Sequence, residues 1–95
     1  MYVILTHFTE QGVHHARDTV KRAEAFKDMA RKKFGIEVKE ILWTLGAYDV
    51  IAIVDAPDEK SSTALSLALS AQGNVKTQTL RAYDAGEMKE IIAKL

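Results

Sequence analysis

The sequence predicts an α+β domain ordered strand, helix, strand, strand, helix, strand, with one further helix at the C-terminal end. Three observations predict it. Runs of β-branched and aromatic residues begin at Tyr2, Val38, Val50 and Val75. A long segment from Asp18 to Phe34 carries its apolar residues at steps of three and four. The two middle runs are separated only by a turn centred on Gly46-Ala47-Tyr48-Asp49, so they form a hairpin.

Tyr2 to Thr9 is the first strand, broken by Glu10-Gln11-Gly12. In the first helix Val20, Ala23, Phe26, Ala30 and Phe34 make one apolar stripe. Asp18 or Thr19 caps its start, and Gly35 stands where a left-handed residue ends a helix. Val38 to Leu45 and Val50 to Val54 are the hairpin strands, with Gly46 permitting the tight turn between them. Pro57-Asp58-Glu59 stops the second of these, and Asp58 or Ser61 caps the next helix. Leu65 to Ala71 alternates apolar and polar residues almost as a strand does. Its Ala and Leu content, the lack of β-branched residues between Thr63 and Val75, and the stop at Gly73-Asn74 favour a helix. Val75 to Tyr83 is a half-buried fourth strand. The last helix opens on Asp84 and Glu87 at capping-box spacing and carries Met88, Ile91, Ile92 and Leu95 on one side.

This order is that of the split-βαβ, ferredoxin-like fold. Right-handed crossovers place both main helices on one face of a four-stranded antiparallel sheet. Strand parity puts Ile41, Trp43 and Leu45 on one side with Val38 and Leu42 on the other, and sets Ile4 and Phe8 against Val3 and Leu5. Both faces are therefore apolar, and the face without helices is a sticky patch on a single chain. A homodimer or higher even oligomer, joined sheet face to sheet face, is expected.

Ninety-five residues make one domain, 1–95. With 47% hydrophobic and 27% charged residues the composition is that of a soluble globular protein. No run reaches the roughly 18 apolar residues of a membrane span, and Tyr2-Val3-Ile4-Leu5 is too short and lacks the basic stretch of a signal peptide. Cysteine is absent, which removes disulfides, thiolate metal sites and cysteine nucleophiles. A cytoplasmic protein is expected, with no membrane partner.

Thirteen basic and thirteen acidic residues cancel, but Arg17 to Lys33 holds seven basic and three acidic ones. Asp18/Arg22 and Asp28/Lys32 stand at i,i+4, as on a solvated helix face. No aromatic residues interleave the charges on that face to stack bases, so nucleic acid is not expected as a partner. His7, Glu10, His14 and His15 match no established metal-ligand spacing. No Ser-His-Asp arrangement, phosphate loop or dinucleotide fingerprint is present, and the five glycines are spread singly. Neither metal nor cofactor is expected.

Five side chains are candidates for a ligand site. Tyr48 can donate to a ligand oxygen, and Asp49 can act as a base or simply bond backbone N–H groups at the turn. His7 shares a face with Val3 and Leu5, where a titratable ring beside Tyr48 or Arg81 suits binding or acid–base work. Arg81 offers a guanidinium to a carboxylate ligand. Trp43 belongs to the core or a dimer interface, and its indole N–H can also reach a ligand.

With Leu45-Gly46-Ala47-Tyr48-Asp49 on the hairpin, the chain resembles the GYD-domain family almost end to end. Thr9-Glu10-Gln11-Gly12, Arg22-Ala23-Glu24-Ala25-Phe26, Asp55-Ala56-Pro57-Asp58 and the segment Gly73 to Ala82 carry the same resemblance. It implies a ferredoxin-like, dimeric α+β barrel architecture and no established substrate. Three functions stay open at this point. The first is a homo-oligomeric small-molecule-binding protein with a pocket between helices and sheet. The second is a cofactor-free enzyme of isomerase, lyase or monooxygenase type acting on a small organic acid or phenol. There His7 or Asp49 is base, and Tyr48 and Arg81 polarise an oxygen. The third is an assembly module.

Overall fold

A computed structural model describes residues 1–95. Strand β1 spans Tyr2–Phe8 and a short helix α1 spans Glu10–His14. A 3-10 turn at Ala16–Asp18 leads into α2, Thr19–Phe34. Strands β2, Glu37–Trp43, and β3, Val50–Asp55, form the hairpin. Helix α3 is Glu59–Ala71, β4 is Val75–Arg81 and α4 is Ala85–Ile92. The sheet order is β2-β3-β1-β4 with every neighbouring pair antiparallel, which is the ferredoxin-like topology.

Several local signals act as expected. Asp58 Oδ1 accepts from the Ser61 N–H at 2.7 Å and starts α3. Asp84 and Glu87 make a complete capping box on α4, each side chain taking the other's backbone N–H. Gly35 ends α2 at φ 64°. The segment that alternates like a strand is helical, as Leu65 to Ala71 all lie in α3.

The departures have identifiable causes. Thr9 leaves β1 because its hydroxyl caps α1, accepting from the Gly12 N–H at 3.1 Å, so the expected break at Glu10-Gln11-Gly12 is a helical turn. Asp18 precedes α2 without a side-chain cap bond. Strand β2 stops at Trp43, and Leu45 lies in the turn fully in solvent rather than on a sheet face.

The larger correction concerns parity. Val38 pairs with Val54, but Glu40 already pairs with Ile53 and Ile41 with Ala52, so Lys39 is an extra residue in a β-bulge. The bulge flips the alternation, and Val38 and Ile41 face the same core rather than opposite sides. Lys39 turns out to solvent and its Nζ meets Asp55 Oδ2 at 3.2 Å. A charged, bulged edge strand is a poor template for further strand addition.

The core lies between the sheet and helices α2 and α3. Ile4, Val54, Leu65, Ile36 and Ala30 are sealed, with Tyr2, Phe26 and Ala52 nearly so. The other face of the sheet has no helix over it. There Val3, Leu5, Ile51 and Ile53 are half-buried by their neighbours alone, and Leu42 and Leu80 are 47% and 41% exposed. Helix α4 leaves Met88 and Ile92 in solvent.

Candidate functional site

The structure distributes the five predicted site residues over four places. Paired strand residues share a face, so His7 stands with Val3 and Leu5 on the open side, as parity predicts. The Gly46 turn, with φ 142° at the glycine, brings Tyr48 over that same face. The two rings lie 4.6 Å apart at 34°, and Tyr48 Oη donates to Gln78 Oε1 at 3.1 Å. His7 and Tyr48 therefore form one cluster, at the end of the open face.

Asp49 sits at the join between hairpin and β1. Its Oδ2 accepts from the Phe8 N–H at 2.8 Å, and its own N–H donates to the Thr6 carbonyl at 2.9 Å. The carboxylate extends the ladder one step past the last paired residues, Thr6 and Val50. Its bond reaches across the sheet to β1 rather than along the turn, and a charged acceptor makes it a strong one.

Arg81 is remote from all of these. It pairs with Tyr2, five residues along β1 from His7, about 17 Å at the strand rise. Its guanidinium donates to the Met1 carbonyl at 2.9 Å and the Ala82 carbonyl at 2.6 Å, approaches Glu87 at 3.6 Å, and lies between the rings of Tyr2 and Tyr83. These contacts fasten the chain's N-terminal end to the base of α4.

Trp43 points to the helix side, with its indole N–H donating to Thr19 Oγ1 at 2.9 Å. It stands at a narrow cleft of about 60 Å³ between α2, the end of α3 and the inner face of the sheet. Phe8, Val50, Val75 and Trp43 come from the same end of all four strands, and Phe26 and Leu69 come from the helices. The polar lining is Thr6, Thr19, Arg22, Gln72 and Asn74. Of the five predicted residues this cleft contains only Trp43.

Sequence reasoning missed Arg22 as a site residue, having assigned it to an i,i+4 pair with Asp18. The ion pairs of α2 run instead at i,i+3, Glu24 to Lys27 at 3.7 Å and Asp28 to Arg31 at 3.3 Å. Arg22 turns inward, donates to the carbonyls of His15 and Gly12, and places its guanidinium carbon 5.6 Å over the Phe8 ring. The available signal was spacing. Thr19, Arg22, Ala23 and Phe26 fall at i, i+3, i+4 and i+7, one face of the helix.

The remaining segments of the resemblance are architectural. Thr9 Oγ1 donates to the Gly73 carbonyl at 2.6 Å, and Gln11 Nε2 donates to Asn74 Oδ1 at 3.0 Å and the Gln72 carbonyl at 3.3 Å. Gly12 packs so closely that a Cβ there would stand 2.0 Å from the Asn74 carbonyl oxygen. This clasp holds α1 against the α3–β4 turn and closes one wall of the cleft. His14 approaches only Glu10, at 4.0 Å, and no group of three metal-capable side chains forms. No helix is long and apolar enough to cross a membrane.

The chain is 30% identical over 90 residues to the "Glutamine synthetase and cystathionine beta-lyase binding protein" of Thermus thermophilus, with 92% of each chain covered. No solved structure gives a significant match. The family model described as the GYD domain matches residues 2–92. The match spans nearly the whole chain, and the chain belongs to the GYD-domain family.

Proposed function

We propose that this protein is a cytoplasmic small-molecule-binding protein that works as a homodimer, two chains meeting through their open sheet faces and each keeping its own cleft on the helix side. The observation that carries the binding reading is the cleft lining. It is mostly apolar, with five polar residues, and includes no histidine, carboxylate, lysine or tyrosine to move a proton near neutral pH. Such a lining suits holding a ligand. Nothing favours the alternative of an acid–base enzyme, since His7 and Tyr48 lie across the sheet from the cleft, Asp49 is bonded to β1 and Arg81 is at the far end.

The dimer rests on the open face, where Val3, Leu5, Ile51 and Ile53 make a continuous apolar strip flanked by Leu42 and Leu80. Native mass spectrometry tests both parts at once. The expected spectrum is an even multiple of the chain mass, with denaturation-labile extra mass when a ligand copurifies. A monomer at micromolar concentration sinks the dimer. A ligand whose binding survives closing the cleft, for instance by Ala23→Phe, sinks the assignment of the pocket.

The name of the Thermus relative favours a second reading, in which the protein docks on a metabolic enzyme. Size-exclusion chromatography with purified glutamine synthetase and with cystathionine β-lyase tests it. Co-elution with either supports the reading, and separate elution from both at micromolar concentration rejects it.

A further inference from the structure

We infer that the cleft takes a monocarboxylate with an apolar body, its anionic head held by Arg22 and Thr19. This rests on the small-molecule reading above and names the ligand class. Arg22 is half-buried at the cleft mouth and has no carboxylate of the protein within ion-pair distance. Of the five N–H donors of a guanidinium, two are used, on the carbonyls of His15 and Gly12. Those bonds and the Phe8 ring beneath hold the group in place with its charge uncompensated. Thr19, one turn earlier on α2, accepts from the Trp43 indole, which leaves its own O–H to donate. The fixed planar fork of an arginine matches the two oxygens of a carboxylate, and a charged pair there is stronger than a neutral one.

Beyond this polar rim the lining is apolar apart from Thr6 on β1 and Gln72 and Asn74 at the end of α3. Ala23, Ile41, Val50, Leu69 and Trp43 present the accessible apolar surface, with Phe26, Ile4 and Ala52 closed off behind them. A molecule that reaches these groups from the mouth has a hydrocarbon or aromatic body and a single charged end. Arg22 is the one charged residue of the lining, so a second carboxylate on the body finds no cation and dicarboxylates should bind less tightly.

The test uses 4-phenylbutyrate and octanoate against their neutral counterparts, 4-phenylbutan-1-ol and octan-1-ol. Calorimetry gives the affinities, and the fluorescence of Trp43, the one tryptophan of the chain, reports occupancy of the cleft. Expected is one site per chain, with each acid at least tenfold tighter than its alcohol and weakened by added salt while the alcohol is not. Arg22→Gln should cost the acids at least tenfold and leave the alcohols within twofold. Arg22→Lys, which keeps the charge and loses the fork, should fall between. Because Arg22 also supports two carbonyls, melting curves accompany each variant. The salt dependence of the wild-type protein decides the matter if Arg22→Gln does not fold. Equal binding of acid and alcohol overturns the carboxylate assignment while the cleft remains a binding site. Absence of saturable binding by all four probes overturns both.

Discussion

On the helix-covered side of the sheet Ile4, Ala52 and Val54 are sealed under α2 and α3, whereas on the other side Val3, Leu5, Ile51 and Ile53 stay half exposed. These residues alternate along the same strands and differ little in chemistry. What separates them is coverage. A chain of 95 residues has two helices long enough to lie across the sheet, and right-handed crossovers put both on one side. The contrast divides the labour of the molecule. The covered side holds the buried core and the cleft, and the open side keeps a strip of half-exposed apolar side chains.

The largest effect should come from the covered side. Leu65→Ala removes a fully buried side chain of α3 and should cost about 2–5 kcal/mol, read as a lower denaturation midpoint at unchanged m-value. Leu42→Ala, on the open side, should leave the stability of the single chain within about 1 kcal/mol. Equal losses at both positions would erase the distinction between the two faces.

Asp49 ties the turn that carries Tyr48 over the open face to β1. Asp49→Ala leaves the Phe8 N–H without its charged acceptor and should cost about 1.5–3 kcal/mol. For a domain of this size that lowers Tm by roughly 10 °C or more. Unchanged melting would mean that the carboxylate is not a structural strut and is free for ligand chemistry.

Leu5→Asp should act on assembly and not on fold. A carboxylate in the middle of a face-to-face contact should raise the dimer dissociation constant at least tenfold, about 1.4 kcal/mol, with far-UV circular dichroism preserved. Sedimentation equilibrium reads the change. A variant that dimerises as tightly as the parent would place the contact elsewhere.

The smallest effect concerns pH and the helix that covers the closed face. The Ser61 N–H bonded to the Asp58 carboxylate, with the Ser61 hydroxyl adding to it, holds the Asp58 pKa below its ordinary 3.8. A lowered native pKa means the stabilisation is fully present above about pH 3.8 and is lost as pH falls through the native value. The Tm difference between the parent and Asp58→Ala should therefore be small and constant at neutral pH and shrink towards zero in strong acid. A difference that does not shrink as the pH is lowered through the acid range would show that the effect does not come from the charged cap.

How much of this was legible depended on the reach of each interaction. The helix caps at Asp58, Asp84 and Gly35 act within a turn of the chain, and each could be read from its own neighbours. The period of the strands announced two apolar faces, and the order of elements announced the topology. The bulge at Lys39 could not be read, because nothing local distinguishes Val38 as the residue at which the alternation slips. The candidate site was the least legible part. His7 and Tyr48 do meet, but Trp43 faces the opposite side of the sheet and Arg81 stands at its far end. Arg22 was hidden among seven basic residues, and beyond its spacing with Ala23 and Phe26 it is the packing of α2 that picks it out.

Local chemistry, acting over four or five residues, thus dictates where helices and strands begin and end, and the alternation of apolar residues dictates that the domain has one face more than it can cover. The cleft, the clasp and the strut are assembled by pairs distant in sequence: Asp49 with Phe8, Thr9 with Gly73, Gln11 with Asn74. Such contacts are specified by which surfaces meet when the sheet closes, and that is a property of the packed chain as a whole.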